Sequence, residues 1–283
     1  MNLLITGSNG QLGRELQNRL SLPGSNLHFT GREQLDITEK KALENYLKDH
    51  QIDTIVNAAA YTDVDGAEKD EKTAFLINEQ GPANLASLAA RYGIGLIHIS
   101  TDYVFNGRNH RPYLETDPPS PQGVYGKSKR AGEQKILELK AGLIIRTAWL
   151  YSPYGKNFVK TIARLVKERD ALKVVYDQVG NPTHAGDLAN AIGSILSSPA
   201  ARELTGIYHF ANEGVCSWYD FACEIARLEN PACTIRPIES KDYPTPAPRP
   251  HYSVLNKQKI KDRFSIHIPW WRESLSEMLR HDG

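Results

Sequence analysis

The sequence predicts an α/β fold built on a doubly wound parallel sheet. Short aliphatic runs alternate with longer amphipathic stretches through the first half of the chain. The runs lack strict polar alternation, which is typical of strands buried on both faces of a parallel sheet. A strand followed by a helix, several times over, indicates βαβ units. A glycine-rich segment directly after the first run supports the same fold class.

The individual elements follow from these patterns in chain order. The predicted strands of the first half are the aliphatic runs at 2–6, 27–30, 54–60, 95–100 and 142–147. The predicted helices between them lie at 11–20, at 38–50, at about 72–92 and from near residue 125 onward. The less regular second half predicts helices at 157–169, 186–198 and 217–229 and a strand at 172–177. Five prolines between residues 236 and 250 argue against a helix or central strand and predict an extended loop.

The bulk composition is that of an ordinary globular protein and excludes several function classes. The 283 residues carry 34 basic and 33 acidic side chains, and neither sign forms a long run, so we expect no nucleic-acid partner and no membrane-surface partner. The three cysteines form no C-x-x-C pair, which argues against a disulfide framework or zinc site and favours a reducing compartment. The N-terminus shows neither a signal-peptide pattern nor a long apolar segment. Cytoplasmic location is therefore the expectation.

The glycine-rich segment TGSNGQLG points to a dinucleotide. It places Gly7, Gly10 and Gly13 between the first predicted strand and the first predicted helix. Glycine permits a tight turn and close approach of backbone to a pyrophosphate, and a helix N-terminus attracts phosphate. An ordinary strand–helix turn is the alternative, but the position at the first βα unit favours a Rossmann-type cofactor site. We expect an NAD(P)-binding domain over 1–150 and a smaller, mainly substrate-binding C-terminal lobe over 151–283, between which the chain can cross again.

The second predicted strand bears on the choice of cofactor. No acidic residue directly ends it, and Arg32 follows two residues after Thr30. An arginine at this place accommodates a 2′-phosphate, whereas an acid would accept from a ribose hydroxyl. NADPH is therefore favoured, NADH stays open, and a solvated loop arginine is the alternative. Asp36 and Ile37 follow in a position to border the adenine.

Tyr125 and Lys129 lie four residues apart at the start of a predicted helix, so they share one face. The preceding strand ends in Ser100 and Thr101, at the sheet edge where ligands bind in α/β folds. An ammonium beside a phenol is expected to lower the phenol's pKa, and a threonine hydroxyl can bond the same substrate oxygen. The set predicts proton transfer at a carbonyl or alcohol oxygen while hydride moves at its carbon. Idle surface is the alternative for the pair alone.

These residues carry a resemblance that covers nearly the whole chain. The segments NAAAYTDVDGAE, HISTDYVFNG, PQGVYGKSKRAGE and YPTPAPRPHYSVLN resemble the extended short-chain dehydrogenase/reductase superfamily and, within it, the dTDP-4-dehydrorhamnose reductases. The resemblance implies that Tyr125 protonates the C4 carbonyl oxygen of a nucleotide-linked 6-deoxysugar as hydride arrives from NADPH or NADH. It also implies that Lys129 holds the nicotinamide ribose and that Thr101 binds the carbonyl oxygen.

The resemblance also assigns the rest of the site. Besides Tyr125 and Lys129, the cofactor residues it implies are Gly7, Asn9, Gly10, Gln11, Leu12, Ala58, Ala59 and Ala60. They join Arg32, Asp36 and Ile37, which the second predicted strand indicates. Asn78 matches a residue that lines the site. The substrate residues it implies are Thr62, Asp102, Tyr103, Phe105, Trp149 and Arg249. Each has a structural alternative: Trp149 as a core aromatic, Asp102 as a turn cap and Arg249 as a solvated charge.

No metal site is predicted from the residues, because none of the nine histidines has H-x-x-x-H spacing with an acidic partner. Some reductases of the resembled type hold Mg²⁺ through glutamates at a dimer interface. Glu15 corresponds to one such residue, but the segment THAGDLA offers Asp187 and no glutamate. Mg²⁺ and a homodimer are therefore both left open.

Two other functions fit the same resemblance. An epimerase or dehydratase of the superfamily would regenerate its cofactor in each turnover. Dehydratases need an Asp-Glu pair directly after the central hydroxyl residue, whereas here Thr101 is followed by Asp-Tyr. The regulatory β-subunit of methionine adenosyltransferase also resembles these reductases and acts as a binding partner. The predicted function is reduction of a small-molecule nucleotide sugar. Net consumption of NADPH would separate it from the epimerase, and ketone reduction without a synthetase partner in a pull-down would separate it from the regulatory subunit.

Overall fold

The computed structural model describes residues 1–281. Twelve strands and eleven α-helices are assigned in the described part of the chain. The strands are β1 (Asn2–Thr6), β2 (Asn26–Thr30), β3 (Thr54–Asn57), β4 (Gly95–Thr101), β5 (Leu143–Thr147), β6 (Leu150–Tyr151), β7 (Ala171–Val175), β8 (Val179–Gly180), β9 (Thr183–His184), β10 (Gly206–His209), β11 (Cys216–Ser217) and β12 (Thr234–Ile238). The helices are α1 (Gln11–Arg19), α2 (Lys40–Asp49), α3 (Val64–Ala67), α4 (Glu71–Phe75), α5 (Gly81–Tyr92), α6 (Val124–Glu138), α7 (Phe158–Glu168), α8 (Ala185–Ser197), α9 (Trp218–Glu229), α10 (Gln258–Phe264) and α11 (Trp271–His281).

The main sheet has six strands in the order β10-β5-β4-β3-β1-β2, and every neighbouring pair is parallel. The chain runs outward from β1 to β2 and then crosses back to β3 on the other side of β1. The gap between β1 and β3 at the carboxyl ends of the strands is thus the topological switch point, where α/β sheets bind ligands. The predicted doubly wound α/β fold is confirmed.

Hydrophobic cores cover both faces of this sheet. On one face, Leu12 and Leu16 of α1 and Ile192 of α8 pack against Ile5 of β1. On the other, Leu43 of α2 and residues of α5 pack against Leu4 and Ile55. Burying one such aliphatic side chain stabilises the fold by about 1.5–3 kcal/mol. The strands are therefore apolar on both faces, which is why their sequences lack alternation.

The second half forms a smaller set of elements around its own core. The strand pairs are β7 with β12, β8 with β11 and β6 with β9. Val159 of α7 and Phe221 of α9 lie in the core of this part. The chain crosses back, since β10 joins the edge of the main sheet beside β5 and α8 packs on α1. The division into domains near residue 150 stays a prediction.

Two sequence predictions are corrected by the fold. The stretch predicted as an extended loop begins inside a strand, because β12 includes Pro237 and pairs in parallel with β7. The strand belongs to a two-stranded sheet, where one edge needs no ladder hydrogen bonds, so proline is tolerated. The helix predicted over about 72–92 is interrupted by a π-helical turn, Leu76–Gln80, between α4 and α5.

Candidate functional site

A cavity of about 930 Å³ opens at the carboxyl ends of the main-sheet strands. It extends from the turn after β1 to the start of the second half of the chain. Most of the residues predicted for the site line it together: Gly7, Asn9, Gly10, Gln11, Leu12, Arg32, Asp36, Ile37, Ala58, Ala59, Ala60, Thr62, Thr101, Asp102, Tyr103, Tyr125, Lys129 and Trp149. Phe105 and Arg249 are not among its lining residues.

The turn after β1 fits a pyrophosphate. Gly7 has a φ of +72°, and a Cβ built on it would come within 2.5 Å of the Ala59 backbone nitrogen. Gly10 is the N-cap of α1, and the first turn of that helix contains no acidic residue. The helix N-terminus therefore presents backbone N–H groups and a partial positive charge to the cavity without a competing carboxylate. These features match the cradle that a dinucleotide needs.

The distal end of the cavity holds a charged pair. Arg32 is exposed, and its Nε donates a hydrogen bond of 3.1 Å to Asp36 Oδ2. Asp36 Oδ1 accepts from the Thr38 backbone N–H at 2.9 Å, which fixes the carboxylate. The guanidinium is thereby held at the cavity mouth with further N–H donors available, as a phosphate-binding arginine requires.

A close approach between α6 and the end of β4 brings the phenol to the threonine. Gly126 permits this contact, because a Cβ on it would lie 2.3 Å from the Tyr103 carbonyl oxygen. The rings of Tyr103 and Tyr125 meet edge to face at 5.5 Å between centroids. The helix start is fixed by the Val124 N–H, which donates to Glu68 Oε1 at 2.8 Å. The helix predicted to begin near residue 125 is confirmed.

The electrostatics of Tyr125 correct one expectation from the sequence. Burial raises the pKa of Tyr125 to about 12, and the neighbouring Thr101 hydroxyl lowers it only in part. Lys129 does not lower this pKa as expected, because its ammonium is directed at the backbone: its Nζ donates to the Ile99 carbonyl at 2.6 Å. Burial lowers the pKa of Lys129 to about 8, which Glu133 opposes. The phenol is thus protonated at neutral pH and is set up as an acid.

A buried polar network behind Lys129 was missed by sequence reasoning. Its Nζ lies 3.4 Å from His98 Nε2, and His98 Nδ1 lies 2.9 Å from the Asn57 amide nitrogen. Asn57 Oδ1 accepts from the Thr6 hydroxyl at 2.7 Å, so the amide nitrogen is the group that faces the histidine. The available signal was Asn57 in the run TIVN and His98 in the run LIHIS, which the β3–β4 register pairs.

Asn78 lies behind the cavity wall instead of lining the cavity. It is buried in the π-helical turn, and its side chain bonds the Tyr61 backbone N–H at 2.9 Å and the Tyr61 carbonyl at 3.0 Å. Its amide also donates to Ser128 Oγ on α6 at 3.1 Å. Asn78 therefore connects the segment at Tyr61, which lines the cavity, to the helix that carries Tyr125. Single π turns inside α-helices often occur at such sites.

Trp149 faces the cavity in a strained conformation. Its φ is +48°, which an L-residue with a bulky side chain rarely adopts. Its indole stacks on Trp218 of α9 with 3.5 Å between centroids and an interplanar angle of 6°. Gly180 also packs closely against this ring, since a Cβ on it would lie 2.7 Å from the Trp149 ring. Such strain persists only where surrounding contacts impose it, and it is common at ligand sites.

Two of the predicted substrate residues do not line the cavity. Phe105 is buried in a separate cluster, where it stacks on Tyr113 at 4.2 Å and lies under the Arg146 guanidinium. Arg249 donates to Asp65 Oδ2 at 2.6 Å, on α3 beside the cavity wall. From the sequence alone, Phe105 cannot be told apart from the lining residues, because it lies only two positions after Tyr103.

The residues considered for magnesium are occupied by other contacts. Glu15 is buried and accepts from Arg19 Nε at 2.7 Å, and its other oxygen lies 4.0 Å from His184 Nε2. Asp187 accepts from Asn212 at 2.6 Å and from Ser274 at 2.5 Å. Over residues 1–281 no group of three or more metal-ligating side chains converges. In the same range, no helix is both long and apolar enough to cross a membrane.

Comparison with known proteins gives one consistent result. The family described as RmlD substrate binding domain matches residues 1–282. The chain is 42% identical over 290 residues to a dTDP-4-dehydrorhamnose reductase of Aggregatibacter actinomycetemcomitans, covering 98% of this chain and 97% of the relative. A crystal structure of a dTDP-4-dehydrorhamnose reductase from Clostridium acetobutylicum matches with a TM-score of 0.94 at 41% identity, over 99% of both chains. The Bacillus anthracis enzyme of that name, in complex with NADP, matches with a TM-score of 0.94 at 38% identity, over 99% of both chains.

Proposed function

The chain belongs to the RmlD substrate binding domain family, and from this premise we propose that it is an NADPH-dependent dTDP-4-dehydrorhamnose reductase. It reduces the C4 keto group of the nucleotide-linked 6-deoxysugar and yields dTDP-L-rhamnose. One observation carries the proposal: Thr101, Tyr125 and Lys129 line the same cavity as the glycine turn after β1. Full-length relatives bear this name, and one of them was solved with NADP.

The cofactor side of the cavity suits NADPH. When bound, the cofactor supplies a hydride to C4 of the sugar. The N–H groups at Gly10 and Gln11 would bind the pyrophosphate at the N-terminus of α1. Arg32 would bind the 2′-phosphate, and Ile37 would border the adenine. NADH lacks that phosphate, so it is expected to bind more weakly.

The protein's own contribution to the chemistry is proton transfer and orientation. Tyr125 donates its phenolic proton to the carbonyl oxygen, and its pKa of about 12 keeps it protonated until then. The Thr101 hydroxyl holds the same oxygen in place. Lys129 binds the nicotinamide ribose.

The substrate side would hold the sugar between Trp149 and the segment at Thr62 and Tyr103. The indole of Trp149 offers an apolar face for the 6-methyl group of a deoxysugar. Arg249 would act at the mouth of the cavity through its pair with Asp65, and Phe105 would support the wall from behind. The small-molecule partner is thus a nucleotide sugar. A cytoplasmic location and a homodimer form the remaining part of the proposal.

The test is the absorbance of NADPH during incubation of the protein with dTDP-4-dehydrorhamnose. We expect steady net oxidation of NADPH and formation of dTDP-L-rhamnose, with slower turnover when NADH replaces NADPH. Epimerisation without net loss of NADPH would support the rival enzyme class. Absence of turnover, together with binding to a methionine adenosyltransferase, would support the regulatory subunit.

A further inference from the structure

The carboxyl group of Asp102 is buried at the cavity wall, directly after β4. The residue is 3% exposed, and its Oδ1 lies 3.0 Å from Thr101 Oγ1. Within residues 1–281, its Oδ2 has no hydrogen-bond partner. The hydroxyl of Ser253 also lies near this carboxyl and has no hydrogen-bond partner among these residues. In this part of the chain no positively charged group bonds either oxygen, so an ionised Asp102 would be a buried charge without compensation.

Glu133 on α6 shows what a buried carboxylate in this protein looks like when it is ionised. It is fully buried, but Arg146 donates two hydrogen bonds to it, both at 2.8 Å, and Arg130 adds one at 2.9 Å. Burial would raise the pKa of Glu133, yet the Arg146 contacts outweigh that effect and lower it. Asp102 has no such cation, so the same degree of burial favours its neutral form.

The protonation state of Asp102 decides where the Thr101 hydrogen points. A hydroxyl has one hydrogen and can accept two hydrogen bonds. Thr101 Oγ1 already accepts from the Tyr103 N–H at 3.2 Å. If Asp102 is ionised, Thr101 must donate to it and can only accept from Tyr125. If Asp102 is neutral and donates to Thr101, the Thr101 hydrogen is free to point toward either Tyr125 or the substrate oxygen.

We propose that Asp102 works as a neutral carboxylic acid that donates a hydrogen bond to Thr101 and thereby directs the Thr101 and Tyr125 hydrogens toward the substrate. This inference rests on the proposed reductase function. It gives Asp102 a role that differs from a direct contact between a carboxylate and the sugar. As Tyr125 gives up its proton, Thr101 can then donate to the forming phenolate. An ionised Asp102 would instead place negative charge beside that phenolate and reverse the chain of hydrogen bonds. Asp102 acts through Thr101, so it is a positioning residue.

The surroundings of Asp102 support the neutral form below about pH 7. Burial raises the pKa of Asp102 to about 7, while Thr101, the nearby Ser253 hydroxyl and backbone N–H groups oppose the rise. The groups that face it are Thr101, Tyr103, Tyr125 and Ser253, and the Arg249–Asp65 pair acts on Tyr103. Because the active form carries the proton, kcat is highest below this pKa and falls as pH rises through it.

The test compares pH profiles of kcat for the intact enzyme, Asp102→Asn and Asp102→Ala. An amide stays neutral and can donate to Thr101, so Asp102→Asn should keep kcat within about threefold of the wild type at about pH 6 and lose the decline near pH 7. The decline should move up by about one pH unit, toward the pKa of Lys129. Asp102→Ala should lose about tenfold or more at every pH. Ser253→Ala removes a nearby hydroxyl that lowers the pKa of Asp102, so it should move the wild-type decline to higher pH.

An equal loss in Asp102→Asn and Asp102→Ala at all pH values would overturn the proposal and indicate a carboxylate contact with the sugar. An unchanged decline near pH 7 in Asp102→Asn would also overturn it. Infrared difference spectra of the wild type minus Asp102→Asn provide a readout without substrate. A protonated-carboxyl band that disappears as pH rises through about 7 supports the neutral acid even if the substrate assignment fails. A carboxylate band at about pH 6 contradicts it.

Discussion

The wall of the cavity around residues 7–12 and the wall around Trp149 are built from different parts of the chain. The first is one continuous segment, in which a strand, a glycine turn and a helix follow each other directly. The second is assembled from distant segments: Trp149 packs against Trp218 and Gly180, and Ser253 lies near Asp102. The first wall uses backbone N–H groups, whereas the second uses side-chain shape. We therefore expect substitutions on the two walls to affect cofactor and sugar separately.

The largest expected effect is a loss of kcat on substitution of Tyr125, where the two walls meet. Tyr125→Phe removes the proton donor and keeps the ring, so kcat should fall by about 10²–10⁴ while NADPH still binds. Steady-state kinetics and fluorescence titration of NADPH measure the two quantities. Tyr243→Phe, at an exposed tyrosine, is the control and should leave both unchanged. Retention of most of the activity in Tyr125→Phe would show that another group gives the proton.

Gly7→Ala tests the backbone wall. The new Cβ would lie 2.5 Å from Ala59 nitrogen at a φ of +72°, so the turn must shift. We expect a loss of about 2–3 kcal/mol in the free energy of unfolding and weaker NADPH binding, measured by denaturant titration and cofactor titration. Gly24→Ala is the matched control, since Gly24 has a φ of +75° and no atom of residues 1–281 lies within 4 Å of the added Cβ. It should cost only about 1 kcal/mol of strain. Equal losses in the two variants would contradict the close-packing argument.

Trp218→Ala tests the side-chain wall without touching the cavity lining. Loss of the stacking partner should free the Trp149 indole, so KM for the sugar should rise by about tenfold with a smaller change in kcat and in NADPH affinity. Steady-state kinetics with varied sugar measure this split. Trp270→Ala, at a tryptophan that is 45% exposed, is the control. If NADPH affinity fell as much as sugar affinity, the two walls would not be separable.

The smallest expected effect concerns the choice of cofactor. Arg32→Ala should reduce the preference for NADPH over NADH by about tenfold, because one charge-assisted contact to the 2′-phosphate is lost. The ratio of kcat/KM for the two cofactors measures it. Arg108→Ala, at an exposed arginine away from the cavity lining, should leave the ratio unchanged. A ratio unaffected by Arg32→Ala would assign phosphate recognition to another residue.

The cofactor wall was predictable because its determinants are adjacent in sequence. Gly7, Gly10 and the helix after them appear in one short motif, and strand periodicity placed that motif at the sheet edge. The contacts of Trp218 and Ser253 depend on how distant segments pack, and no spacing encodes that packing. Phe105 and Arg249 show a related limit: the resemblance assigned both to the substrate, but neither lines the cavity. The pKa of Tyr125 was misjudged because the i, i+4 spacing does not reveal that Lys129 bonds the Ile99 carbonyl.

The central claim is that hydride and proton meet at one carbonyl group of the sugar. Incubation of the enzyme with dTDP-4-dehydrorhamnose and NADPH deuterated at the reactive nicotinamide position tests it directly by NMR of the sugar. The account predicts deuterium on C4 of the product in equal amount to the NADPH consumed. Sugar that changes configuration without gaining deuterium, while the cofactor keeps its label, would contradict it.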